Sequence, residues 1–198
     1  MRPPWLVLAS GSPARRRLLE LAGIRFEVIV SGVSEDGYDH LTPLELVTEL
    51  AEAKAVAVAA TLDREAVVVG ADSMFELDGE LFGKPLTPKV AVERWQAMRG
   101  RRGLLHTGHF VVDTSTGRRA GGTATTVVVF ADISDAEVAA YVASGEPLEV
   151  AGAFTLDGRA GPFVERVEGD PSNVLGLSLP LLRTLLARLD IGIVDLWG

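Results

Sequence analysis

The stretch "WLVLASGSPARRRLLELAG", residues 5–23, decides how this chain is read. Its apolar opening predicts a short buried strand, and Gly11 then starts a tight turn. Ser12 followed by Pro13 opens a helix, since the hydroxyl can cap and the proline ring is already set at helical φ. Leu18, Leu19 and Ala22 fall on one face, and Gly23 is the stop signal. A strand, a Gly-Ser turn and a helix start together present free backbone N–H groups to an anion. Yet Arg15, Arg16 and Arg17 crowd the first turn, the positive end of the helix macrodipole, where each cation typically costs a few tenths of a kcal/mol. A polyanion docked there would offset that cost, with the Ser10 and Ser12 hydroxyls and Arg15 as donors. The other reading is a solvated basic face with Arg16 paired to Glu20, and the segment alone leaves both open.

Working outward, "RFEVIVSG" reads as an alternating strand and is followed by a polar loop. Thr42-Pro43-Leu44-Glu45 gives a cap, an N1 proline and a capping-box glutamate for a second, alanine-rich helix. "AVVVGAD" reads as a buried strand ending at Asp72, and "MFELDGELF" as a hairpin turning at Asp78-Gly79. Thr87-Pro88 opens a third helix, two long strands follow around a polar turn, and Ser134 to Glu137 form another capping box. "AGAFTLDG" and "GPFVERVEG" read as two short strands before a last helix around "SLPLLRTLLARLD". Interleaved strands and helices with hairpins among them predict an α/β fold on a mixed β-sheet flanked by helices.

The totals narrow the function. The chain has 198 residues, 47% of them apolar and 23% charged, which is ordinary globular composition. A formal net charge of −8 argues against a protein that coats nucleic acid or an anionic membrane. Basic clusters must therefore be local sites. Without cysteine there is no disulfide framework, thiol nucleophile or cysteine zinc site. No window approaches the roughly 20 apolar residues of a membrane span, and "WLVLA" is too short for a signal peptide, so a soluble, cytoplasmic protein is expected.

Asp72 is the second candidate for chemistry. A carboxylate at a strand terminus, with Lys84 nearby in sequence, suits a ligand cleft of an open α/β sheet. It can hold a divalent ion or accept a proton from water, or it can simply cap a turn. "GELFGKP" is not a P-loop: three residues separate its glycines, and proline follows the lysine where a magnesium-holding hydroxyl belongs. Glu35 lies in the polar loop, and Lys54 stands midway along the second helix. The histidines, His40, His106 and His109, have no metal-ligand spacing, and the last two should face opposite sides of a strand. No G-x-S-x-G elbow supports a Ser-His-Asp hydrolase.

Taken together these motifs resemble the Maf family of nucleoside triphosphate pyrophosphatases. The likeness runs from the S-x-S-P opening through Glu35, "LAEAKA" with Lys54, "VVGADS" with Asp72 and "GELFGKP" with Lys84. It continues in "MRGRRGLLHTG", "YVASGEPLEVAGAF" and "EGDPSNVLGLSLP". The resemblance implies a single Maf-like domain over residues 1–198, with an elongated, two-lobed Maf/ITPase-like fold and a central cleft. It implies a cytoplasmic homodimer that cleaves nucleoside triphosphates to monophosphate and pyrophosphate with a Mg²⁺ or Mn²⁺ ion. By the same resemblance Asp72 is the proton acceptor, Ser10, Ser12, Arg15, Lys54 and Lys84 line the triphosphate site, and Glu35 joins Asp72 at the metal. A non-catalytic nucleotide-binding regulator of cell division, the septum-formation role also associated with the family, is the alternative.

The chain departs from the family in places. Ala14 replaces the first arginine of an R-R pair, and Ala14, Ser73 and Asp157 fall at positions that select the base. The pyrimidine-preferring branch carries Arg, Thr and Gln there. Pyrimidine triphosphates, dTTP and UTP, or modified forms of them remain the expected substrates. Gly103 stands at a position often histidine, and Ser178 replaces the proline of a G-L-P-L run; neither is expected to touch the chemistry.

Overall fold

The computed structural model describes residues 5–35, 37–38 and 40–198. In chain order they form β1 (Leu6–Leu8), α1 (Pro13–Leu21), β2 (Phe26–Val28), α2 (Pro43–Ala59), β3 (Val67–Leu77), β4 (Glu80–Phe82) and α3 (Pro88–Met98). There follow β5 (Arg102–Asp113), β6 (Arg119–Phe130), α4 (Asp135–Ala143), β7 (Val164–Glu168), α5 (Pro171–Val174) and α6 (Leu179–Arg188). The seven strands make one sheet in the order β2-β1-β3-β5-β6-β7, with β4 added to β3. β1 runs parallel to both β2 and β3, whereas β4 pairs antiparallel with β3 and β7 with β6. The sheet is mixed and the fold α/β, as the interleaved pattern predicts.

Local signals set the helix starts. Ser12, Thr42, Thr87, Ser134 and Ser178 each accept a backbone N–H from the first turn of the helix that follows. Thr42 with Glu45 and Ser134 with Glu137 close reciprocal capping boxes.

Three expectations are corrected. β3 does not end at Asp72: Phe75 and Leu77 keep the buried alternation, and β4 pairs with Phe75 to Leu77, so the ladder continues past the acid. "AGAFTLDG" is not a strand. Positive φ at Gly152 (73°) and Ala153 (60°) breaks extended backbone there, and Ala151–Ala153 form a 3₁₀ turn whose last carbonyl accepts Trp95 Nε1. "RFEVIVSG" contributes only three strand residues.

The chain divides into two compact units. One takes Met1–Asp72, Thr107–Ala124 and Gly176–Gly198; the other takes Ser73–His106 and Thr125–Leu175. In the first, Val7, Ala9, Ala55, Val58, Val68 and Val112 form an aliphatic core. Gly70 lets α2 approach β3 closely, since a Cβ there would lie 2.2 Å from the Ala51 carbonyl oxygen and 2.7 Å from the Ala55 nitrogen. In the second, buried Trp95 makes edge-to-face contacts with Phe130, Tyr141 and Phe163. Glu146 ties the chain after α4 to a later loop, accepting from Thr155, Tyr141 and the Arg159 backbone.

Candidate active site

The close approach at Gly70 determines what stands opposite Asp72. Residues two apart on a strand share a face, so Gly70 and Asp72 both look toward α2. Ala51 and Ala55, the residues against Gly70, bracket Lys54 on the helix. Lys54 therefore meets the acid directly: its Nζ donates to Asp72 Oδ1 at 2.6 Å and to Glu35 Oε1 at 2.7 Å. Lys54 and Asp72 are buried, at 8% and 7% exposure, while the Glu35 side chain is 63% exposed.

A second cation completes the group. Arg15 is 8% exposed, whereas Arg16 and Arg17 lie at the surface. Its Nη1 donates to Ser10 Oγ at 2.9 Å, and its Nε donates to the Gly176 carbonyl at 2.7 Å. Ser10 Oγ also accepts the Ser12 backbone N–H, and Ser12 Oγ accepts that of Arg15. The polar turn is thus organised around one guanidinium. Burial lowers the Arg15 pKa from its ordinary value, opposed by the charges of Asp72 and Glu35. Burial likewise pushes the Asp72 carboxyl up, and Lys54 and Arg15 pull it back only in part. An aspartate so raised is a better proton acceptor than a free one.

The first unit thus brings together Ser10, Ser12, Arg15, Glu35, Lys54 and Asp72. Ala14 sits half-buried on α1 of the same unit. Lys84, Ser73 and Asp157 belong to the second unit: Lys84 exposed after β4, Ser73 half-buried on β3, and Asp157 exposed in a turn. Asp72 and Lys54 were readable as separate candidates. The sequence left unremarked that Arg15 is spaced three and four residues from Leu18 and Leu19, which put it on the buried face. It offered no sign of Gly176, 161 residues from its partner.

The strand histidines do face apart. His106 contacts Thr125 and Glu76, while His109 contacts the Thr107 carbonyl and the Ser178 backbone. Among the described residues no three His, Cys, Asp or Glu side chains gather as a metal cage. Glu35 and Asp72 nevertheless converge on a single cation. Two carboxylates fit a hard divalent ion whose remaining ligands are phosphate oxygens and water.

The chain is similar to known proteins along nearly its whole length. Residues 5–189 match the Maf family, described as Maf-like protein. A protein of Streptomyces coelicolor named nucleoside triphosphate pyrophosphatase is 58% identical over 98% of this chain and 94% of its own length. One of Salinispora tropica with the same name is 56% identical, over 99% of this chain and 88% of that protein. The solved structure of the Staphylococcus aureus Ham1 protein superposes with a TM-score of 0.52 at 16% identity, covering 93% of this chain and 99% of that one, a likeness of fold. With a family match across nearly its whole length and relatives above half identity, the chain belongs to the Maf-like protein family.

Proposed function

We propose that this protein hydrolyses nucleoside triphosphates to the nucleoside monophosphate and pyrophosphate. The observation that carries the reading is the buried Lys54 ammonium shared by Asp72 and Glu35. The name given to the Streptomyces and Salinispora relatives supports the same activity.

In this reading the triphosphate docks against the Ser10–Ser12 turn, with Arg15, Lys54 and Lys84 neutralising its charge. Water attacks the α-phosphorus and Asp72 takes its proton. The bond from phosphorus to the α,β-bridging oxygen breaks, and pyrophosphate leaves with the electron pair. Lys54 and Arg15 favour the charge that builds on that leaving group. Glu35 and Asp72 would hold a Mg²⁺ or Mn²⁺ ion, which when bound neutralises phosphate charge and acidifies water.

For the base we propose pyrimidines, dTTP and UTP or modified forms, with Ala14, Ser73 and Asp157 as selecting positions. An ionised aspartate only accepts hydrogen bonds, and uracil and thymine offer an N3–H. The net charge of −8 suits free nucleotides over nucleic acid or membrane surfaces. A cytoplasmic homodimer completes the proposal.

The test is a panel of triphosphates with Mg²⁺ or Mn²⁺, assayed for each product. Equal amounts of monophosphate and pyrophosphate are expected. Diphosphate with orthophosphate would make the protein a γ-phosphatase, and tight binding without turnover would favour a nucleotide-sensing regulator of cell division.

A further inference from the structure

His109 on β5 is 1% exposed, and both ring nitrogens face backbone groups of opposite kind. Nδ1 lies 3.0 Å from the Thr107 carbonyl oxygen, and Nε2 lies 2.7 Å from the Ser178 nitrogen. A carbonyl can only accept and a backbone N–H can only donate. The ring must therefore be neutral, with its hydrogen on Nδ1 and a lone pair on Nε2. Ser178, expected from the sequence to leave the chemistry untouched, is the N-cap of α6, and its own N–H, which a proline at this position would lack, has no place in the helix ladder. Two residues earlier Gly176, at φ 98°, turns its carbonyl to accept Arg15 Nε at 2.7 Å. On its other edge the same guanidinium donates to Ser10.

We infer that His109 is a positioning residue for Arg15, fixing the Ser178 N–H and thereby the Gly176 carbonyl that orients the guanidinium. All of these residues lie in one compact unit, so the relay is internal to it. The backbone link does not depend on any nucleotide chemistry; only its consequence for phosphate binding rests on the proposed function. Without an acceptor at Nε2, a buried N–H at the helix start is left unsatisfied, and the 176–178 segment must shift to satisfy it. Arg15 is long and flexible. Losing its anchor at the Gly176 carbonyl lets it sample rotamers that point away from Ser10 and the Asp72 group.

Two pairs of variants separate this from a merely structural role. His109→Gln can keep an acceptor near the Nε2 position, whereas His109→Asn is too short to reach Ser178. Ser178→Ala keeps the N–H and loses only the hydroxyl cap, whereas Ser178→Pro removes the N–H at a φ of −70° that proline adopts. The first readout is the Arg15 Nε–H resonance and its hydrogen exchange, followed by NMR in the protein without ligand. Slow exchange is expected in the unsubstituted protein, His109→Gln and Ser178→Ala, and faster exchange in His109→Asn and Ser178→Pro. The second readout is calorimetric affinity for inorganic tripolyphosphate, expected to fall about fivefold or more in the last two variants. Placed on an Arg15→Ala background, the same substitutions should change affinity little, because their route to the ligand is gone.

Equal exchange in all four variants, or a full affinity loss that persists on the Arg15→Ala background, overturns the inference. If the unsubstituted protein binds no tripolyphosphate, the functional proposal falls, and the exchange measurement alone still decides the positioning role.

Discussion

Lys54 and Asp72, 18 residues apart, meet at 2.6 Å because the residue two before the acid has no side chain. Burial raises the Asp72 pKa, and the ammonium opposes that rise in part. Replacing Lys54 with glutamine leaves two carboxylates with less compensation and raises the Asp72 pKa further. Turnover should fall by about 100-fold or more, the effect of removing a charge-stabilising donor. The rising limb of the pH–rate profile should also move upward, and steady-state kinetics across pH reads both effects.

Asp72→Asn removes the proton acceptor and keeps the shape. Turnover should drop by roughly 10² to 10⁴, the usual worth of a positioned general base. Nucleotide affinity measured by calorimetry should stay near its starting value. An unchanged rate would take Asp72 out of the mechanism.

Gly70→Ala puts a methyl group where the α2 backbone now stands. Overpacking of this kind costs about 1–3 kcal/mol, and it forces the helix carrying Lys54 away from the strand carrying Asp72. Denaturant titration should show the stability loss. Activity measured well below the new midpoint should fall as well, which a purely global destabilisation would not produce.

Glu146 supplies a pH dependence of stability. Burial alone would raise its pKa, but hydrogen bonds from Thr155, the Arg159 backbone and Tyr141 outweigh it and hold the carboxyl below its ordinary value of 4.5. A depressed acid contributes stability above its unfolded pKa and loses it as pH falls through the folded one. Melting temperature should therefore decline on acidification below about pH 4.5, and Glu146→Gln should flatten that decline while lowering the plateau. Scanning calorimetry from neutral pH downward tests it.

Trp95 is fully buried among aromatic partners, and its indole N–H is satisfied by the Ala153 carbonyl. Trp95→Ala should cost about 3–5 kcal/mol by urea denaturation. Trp95→Phe should recover most of the packing and leave that carbonyl without its donor.

Much of this was legible in the sequence because it is local. Serine or threonine before a proline or a capping glutamate marked the starts of α1, α2, α3 and α4, since capping depends on residues within one turn. The choice among Arg15, Arg16 and Arg17 was legible in principle, as only Arg15 shares the apolar face of α1. What stayed hidden depends on distant partners. The length of β3 was set by pairing with β4, and the turn at Ala151–Ala153 by the Trp95 indole. His109 acquires its role from a backbone group 69 residues later, and no spacing rule announces that.

Asp72 lies in the interior of an eleven-residue strand, while Glu35 reaches the same ammonium from an exposed loop. Displacing the first would mean tearing sheet ladder; displacing the second requires little more than turning a solvated side chain. If an arriving phosphate competes for Lys54, or a metal ion competes with Lys54 for the carboxylates, Glu35 is the partner that yields, and Asp72 keeps its aim.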